Sequence, residues 1–93
     1  MKIEFTKTYQ LSLLDQVLYI ASDKPSAAKK FKNDIIKNIK KDLKQPYQFK
    51  KSIYFDDEDI RDYVFKGYTS VYKIDLKNQL IVVFGFIKHK ETF

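Results

Sequence analysis

The chain has 93 residues, 44% of them hydrophobic and 16% aromatic, with two Gly, two Pro and no Cys. The apolar content excludes a disordered tail, and the absence of Cys argues against a disulfide-stabilised secreted protein. The length predicts a single domain over residues 1–93. Its net charge is +6, and residues 24–51 hold ten Lys against Asp34 and Asp42, which indicates either a polyanionic or acidic partner or a solvated helix face. The N-terminal region is too charged for a signal peptide and the apolar run 80–87 is too short to span a bilayer, so we expect a cytoplasmic protein without a membrane partner.

The chain begins with a predicted strand and a predicted helix. Residues 2–7 alternate between apolar and polar side chains, which is typical of a half-buried strand. Thr8 is a suitable N-cap for a helix from Tyr9 to about Ser22. Its expected buried stripe consists of Leu14, Val17, Leu18 and Ala21. Leu13 and Ile20 widen this stripe.

A second helix is predicted to begin after Pro25, because proline suits the first helical turn. It should run from about Ser26 to Leu43 and end before Pro46. Its stripe at three- and four-residue spacing is Ala28, Phe31, Ile35, Ile39 and Leu43. The short connection between the two helices predicts an antiparallel hairpin.

The second half of the chain predicts three strands, at about 59–66, 68–75 and 79–88. Tight turns are expected at Lys66-Gly67 and Lys77-Asn78. The last strand is apolar on both faces, which predicts a central position. Residues 47–57 show no clear period, although Ile53 and Phe55 are candidate anchors. The resulting fold class is α+β, with the order β-α-α-β-β-β: an N-terminal helical hairpin packed on one face of a small, twisted, mostly antiparallel sheet.

Several kinds of chemistry find no support in the sequence. A single His and no Cys argue against a zinc site, and no glycine-rich phosphate loop or serine-hydrolase motif is present. The run from Asp56 to Asp59 lacks the spacing of a calcium loop and is more simply a solvated acidic loop. We therefore expect no metal and no cofactor.

The candidate functional residues lie in the last third of the chain. Arg61 should share a strand face with Tyr63 and Phe65, and Arg suits bidentate recognition of phosphate or carboxylate. His89 lies between Lys88 and Lys90, where a lowered pKa would allow acid–base chemistry. The alternatives are an exposed strand Arg, aromatic rows that belong to the core, and a solvated His.

Five short motifs in this order resemble the RelE/ParE superfamily, the toxins of bacterial type II toxin–antitoxin modules. Residues 25–28 resemble the family's P-x-A-A opening of the second helix, and Leu43 with Pro46 resembles its close. Residues 60–63 resemble hydrophobic-R-E-L, and 67–73 resemble G-Y-x-x-x-Y-R. The terminal segment 87–91 resembles hydrophobic-R-H-Q-K-E, typical of ParE-like members. The resemblance covers nearly the whole chain and implies the same β-α-α-β-β-β architecture.

The resemblance also implies a function and partners. Members are held inactive by a cognate antitoxin, here expected to bind hydrophobic surface around Tyr63, Phe65 and Phe93. ParE-like members bind DNA gyrase and trap its cut DNA without being enzymes, whereas RelE-like members cut mRNA on the ribosome without metal. A homodimer and a toxin–antitoxin hetero-oligomer are both compatible with the sequence.

The departures from the family pattern favour the ParE-like branch. Thr69 stands where RelE-like members have an Arg after the Tyr of the G-Y motif, and the chain ends in Phe93 rather than Tyr. The resemblance thus implies target contact by Arg61, Lys88, His89 and Lys90, which would be the catalytic set if the protein were a ribonuclease. Two alternatives stay open: a RelE-like ribonuclease, and a non-toxic basic domain that binds nucleic acid or protein.

Overall fold

The computed structural model describes residues 1–88, and the elements follow in the predicted order β-α-α-β-β-β. A 3₁₀ turn, Pro46–Gln48, follows the second helix. The helices and strands are β1 (Lys2–Phe5), α1 (Lys7–Ala21), α2 (Pro25–Asp42), β2 (Ile60–Phe65), β3 (Tyr68–Asp75) and β4 (Leu80–Lys88).

The four strands form one mixed sheet in the order β1-β4-β3-β2. β1 runs parallel to β4, and the other two pairings are antiparallel. The prediction that the last strand is central is confirmed, because β4 lies between β1 and β3. The predicted turn after β2 is also confirmed: Lys66 and Gly67 have φ of 50° and 81°, the left-handed backbone of a two-residue hairpin.

α1 begins two residues earlier than predicted and buries a different stripe. Thr6, not Thr8, is the N-cap, and its hydroxyl accepts the Tyr9 N–H at 3.1 Å. The buried side chains are Tyr9 and Leu13, whereas Leu14 and Leu18 are exposed. The predicted stripe was therefore partly wrong. α1 carries apolar side chains on two sides, so periodicity alone did not show which side faces the sheet.

α2 buries the predicted stripe. Its members are all 8% exposed or less: Ala28, Phe31, Ile35, Ile39 and Leu43. Pro25 lies in the first turn, as expected. The lysines between these positions project outward, so the helix is amphipathic, with one apolar side packed on the sheet and one basic side toward solvent.

Aromatic rings fill the space between the helices and the sheet. Tyr68 of β3 stacks on Phe86 with a centroid distance of 5.4 Å, and Phe86 meets the Tyr9 ring edge-on at 5.8 Å. The Tyr9 hydroxyl shares a buried hydrogen bond of 2.8 Å with the Ser70 hydroxyl. Aromatic packing and the Tyr9–Ser70 hydrogen bond therefore hold the expected helical hairpin on one face of the sheet.

Residues 49–58, here called the cover segment, run beside and across the other face of the sheet. Residues 50–52 pair with the outer edge of β2 through the Ser52 N–H to the Ile60 carbonyl and the Asp62 N–H to the Lys50 carbonyl. The Phe55 ring packs edge-on against Phe84 at 5.5 Å. Ile53 does not anchor the segment, since its side chain is 80% exposed.

Candidate functional site

Arg61 lies on β2 and holds the cover segment to the sheet. Its Nε donates to the Glu58 carbonyl at 3.0 Å, and Nη1 donates to the Phe49 carbonyl at 2.8 Å. The guanidinium carbon lies 5.1 Å from the centroid of the Tyr47 ring. Because Nε, Nη1 and one face of the guanidinium make these contacts, Arg61 has a structural role in addition to the predicted target contact.

Lys88 lies at one end of the sheet, whereas Arg61 is level with the middle of β3 and β4. Arg61 pairs with Tyr72, whereas Lys88 pairs with Tyr68. Four residues of strand separate the two positions, about 13 Å along the strand direction. The structure therefore does not bring these two predicted target-contact residues together. The other two, His89 and Lys90, lie outside the described residues.

The surroundings of Lys88 make a shallow site with mixed chemistry. Its ammonium lies 5.1 Å from the centroid of the exposed Tyr19 ring. Gln16 donates its amide to the Tyr68 hydroxyl at 2.9 Å beside it, and Asp15 also lines the site. An exposed aromatic ring, a cation and an amide can together contact a nucleic acid or a polar protein surface. The sequence did not single out Tyr19, because it lies on a helix far from the C-terminal block.

The position of Thr69 is unsuited to a cationic catalytic side chain. It follows Tyr68 and therefore lies on the sheet face opposite the helices. Its side chain is 1% exposed, and it has interaction partners of its own. A cationic side chain at this position would have to be buried, so the structure gives a physical reason for the departure from the RelE-like pattern.

A lysine and a tyrosine from neighbouring positions contact three carboxylates of the acidic run. The Lys51 ammonium lies 3.3 Å from Asp56 and 3.4 Å from Glu58, and both carboxylates raise the pKa of Lys51. The Tyr47 hydroxyl donates to Asp59 at 2.9 Å, which raises the pKa of Tyr47. Among residues 1–88, no cluster of His and carboxylate side chains has the arrangement of a metal site.

A groove lies between α1 and α2 on the outside of the helical hairpin. It has a volume of about 480 Å³, and its apolar wall includes the exposed side chains of Leu11 and Leu14 together with Ile36. Lys7, Lys32 and Lys40 line the same groove. We call this feature the helix groove. Its exposed leucines belong to the side of α1 that sequence analysis placed in the core.

The expected antitoxin-binding residues differ in exposure. Tyr63 does not lie at an exposed surface: it is 4% exposed, and its hydroxyl donates to Asp42 of α2. Burial, with the Asp42 hydrogen bond, raises the pKa of Tyr63 well above its ordinary value. Phe65 is half-buried at the end of β2, with the Lys66 ammonium 5.4 Å from its ring centroid. Phe93 lies outside the described residues.

The fold matches a solved toxin–antitoxin structure. A structure described as the chromosomal ParDE TA system from P. aeruginosa superposes with a TM-score of 0.76 at 14% identity, over 97% of each chain. At this identity the likeness establishes the shared fold alone. Within the described part of this chain, no helix has both the length and the hydropathy needed to cross a membrane.

The sequence comparison identifies the family. The family described as "ParE toxin of type II toxin-antitoxin system, parDE" matches residues 3–93, almost the whole chain. This chain therefore belongs to the ParE toxin family, and the predicted resemblance to the ParE-like branch is confirmed. A search among curated proteins returned no match.

Proposed function

We propose that this protein inhibits DNA gyrase as the toxin of its module and that a cognate antitoxin holds it inactive. Family membership over residues 3–93 is the observation that carries the proposal. The arrangement of cations supports it, because Arg61 is engaged by the cover segment and lies far along the sheet from Lys88. RNA cleavage requires an acid–base group and cations around one phosphate. A protein–protein contact makes no such demand.

The helix groove is the proposed binding site of the antitoxin. Its leucines suit the apolar side of an amphipathic segment, and its lysine rim suits acidic residues on the same segment. The chain carries a net charge of +6, so an acidic partner would also gain from long-range attraction. Phe65 and Phe93 stay candidates for antitoxin contact, whereas the buried Tyr63 could affect binding only by supporting the residues above it.

The proposed target contact centres on Lys88, together with His89 and Lys90 of the terminal segment. Lys88 and Tyr19 present a cation and an exposed ring at this end of the sheet. Arg61 is proposed to act at this surface indirectly, by holding the cover segment in place. No cofactor and no membrane enter the proposal.

Gyrase inhibition is tested with the purified chain, DNA gyrase, ATP and relaxed plasmid. We expect loss of supercoiling and accumulation of protein-linked, cut DNA. Lys88→Ala should weaken inhibition about tenfold, the usual cost of losing one contact to a charged group. Lys77→Ala, which changes an exposed lysine in the turn between β3 and β4, is the matched control and should inhibit like the parent chain.

The same protein is added to a translation extract to separate the alternatives. Full gyrase activity combined with cleaved mRNA would contradict the proposal and support the ribonuclease; His89→Ala should then lower the cleavage rate by orders of magnitude. Full activity in both assays would instead support a non-toxic binding domain.

A further inference from the structure

A cleft on the sheet face opposite the helices combines apolar walls with a carboxylate. It lies between the cover segment and the end of β2, has a volume of about 360 Å³, and is lined by Ile53, Tyr54, Asp62 and Val64 among other residues. The Val64 side chain is 62% exposed. We call this feature the β2 cleft. It is separate from the helix groove, which lies on the other side of the sheet.

The carboxylate of Asp62 has one oxygen in use and one without a donor. Oδ2 accepts the Ile53 N–H at 3.1 Å. Oδ1 is buried, and no donor among the described residues reaches it. A buried carboxylate oxygen without a hydrogen bond is costly. Because Asp62 lines the cleft, a ligand with an N–H or O–H group gains a hydrogen bond to this oxygen once the carboxylate turns toward it.

The backbone beside the cleft is also open to pairing. Among residues 1–88, only residues 50–52 pair with the outer edge of β2, and they reach as far as Asp62. Outward-facing backbone groups alternate along an edge strand, and those of Ile60 and Asp62 point to the cover segment, so those of Val64 point outward as well. An extended peptide can pair with this position and direct one of its side chains into the adjacent cleft.

The charges around the cleft favour a basic side chain. Lys51 lines the cleft, but Asp56 and Glu58 hold its ammonium. These three groups together with Lys50 and Asp62 carry a net charge of −1 at pH 7. A guanidinium or ammonium group would donate a hydrogen bond to Oδ1 of Asp62 and would also neutralise this net negative charge.

We infer that the β2 cleft binds an extended segment of the target enzyme that carries an arginine or lysine side chain. This inference rests on the proposed function. The target rather than the antitoxin is the expected occupant, because Val64, Thr69 and Ile87 follow one another across the sheet and Ile87 adjoins Lys88. The cleft and the proposed target contact thus lie at the same end of the sheet, on its two opposite faces, and one extended segment can reach both around that end. An antitoxin suited to the lysine-lined helix groove is acidic, which is the wrong charge for Asp62.

The inference is tested by measuring the affinity of purified DNA gyrase for immobilised variants of the full chain. Val64→Lys places a charge at the mouth of the cleft, and Asp62→Asn keeps an acceptor for the Ile53 N–H but removes the negative charge. Each should weaken binding by about tenfold, as for the loss of one charge-assisted hydrogen bond. Leu76→Lys changes an exposed leucine in the turn between β3 and β4 and is the matched control, with unchanged affinity expected.

The outcomes separate this inference from the proposed function. If the parent chain inhibits gyrase and both cleft variants bind within twofold of it, the β2 cleft is not the contact and only this inference falls. If the parent chain neither binds nor inhibits gyrase, the proposed function and the inference fall together. Urea unfolding of each variant shows that the fold is intact, and Val64→Lys keeps the test decisive if Asp62→Asn is unstable.

Discussion

The two faces of the sheet differ in how completely their polar groups are satisfied. On the helix-facing side, three tyrosine side chains are buried and each hydroxyl has a hydrogen-bond partner: Tyr9 with Ser70, Tyr63 with Asp42 and Tyr72 with the Pro46 carbonyl. On the opposite side, Asp62 keeps a buried oxygen that no donor among residues 1–88 reaches, and Ile53 and Val64 expose apolar side chains.

This difference separates the sheet face that stabilises the fold, under the helices, from the sheet face that is open to a partner. A closed, hydrogen-bonded face gains nothing from a ligand, whereas an open face with an unpaired acceptor gains both burial and a hydrogen bond.

The largest expected effect is a loss of stability when a buried isoleucine is truncated; an exposed isoleucine on the other side of the sheet serves as the comparison. Ile35→Ala removes a fully buried side chain of α2 and should lower the free energy of unfolding by about 2–5 kcal/mol. Ile53→Ala removes an exposed side chain and should change it by less than about 0.5 kcal/mol. Urea unfolding followed by circular dichroism measures both. Similar losses in the two variants would show that the cover segment belongs to the core.

A smaller effect is expected at Arg61, which lies at the border between the two regions. Arg61→Gln removes the hydrogen bonds to the Phe49 and Glu58 carbonyls and should cost about 1–3 kcal/mol. The Ser52 amide, which pairs with β2, should then exchange with solvent faster. Lys2→Gln on β1 is the control. Unchanged stability with weaker gyrase inhibition would mean that Arg61 serves the target contact alone.

The smallest effect expected at neutral pH concerns the buried tyrosines on the helix-facing side of the sheet. Burial raises the pKa of Tyr63 and Tyr72 above the ordinary value of 10. Their stabilisation is therefore present below pH 10 and is lost as the pH rises from 10 toward the folded-state pKa, by at most about 1.4 kcal/mol per pH unit for each tyrosine. Tyr72→Phe should cost about 1 kcal/mol at pH 7.

The test of this prediction is the slope of stability against pH above 10. The Tyr72→Phe variant should lose less stability per pH unit than the parent chain, because it has one fewer phenol to ionise. Tyr19→Phe changes an exposed ring and is the matched control, with the parent slope expected. Equal slopes in all three proteins would show that Tyr72 does not contribute to the alkaline loss.

Much of the fold could be predicted because helix and strand periods were clear where one face is buried. The α2 stripe and the hairpin at Gly67 are examples, since each depends on local sequence alone. The stripe of α1 could not be resolved, because Leu13 and Leu14 are both apolar and only the sheet decides which is covered. Ile53 was misjudged for a related reason: an apolar residue in an aperiodic segment carries no sign of its direction.

The candidate site was less predictable than the fold. Family motifs indicated Arg61 and Lys88, but not that the strand register places them about 13 Å apart along the sheet. Tyr19 and the β2 cleft depend on contacts between segments distant in sequence, namely α1 with β4 and the cover segment with β2. No local sequence pattern indicates such contacts.

The parallel pairing of β1 with β4 has a consequence for synthesis. Lys2 pairs with Leu80, 78 positions later in the chain. At ribosomal rates of about 5–20 residues per second, the first strand is made about 4–16 s before its partner. The helical hairpin emerges during this interval without the sheet that covers its apolar side. A nascent toxin of this fold therefore completes its sheet, and with it the surfaces proposed here for its target, only when the final strand arrives.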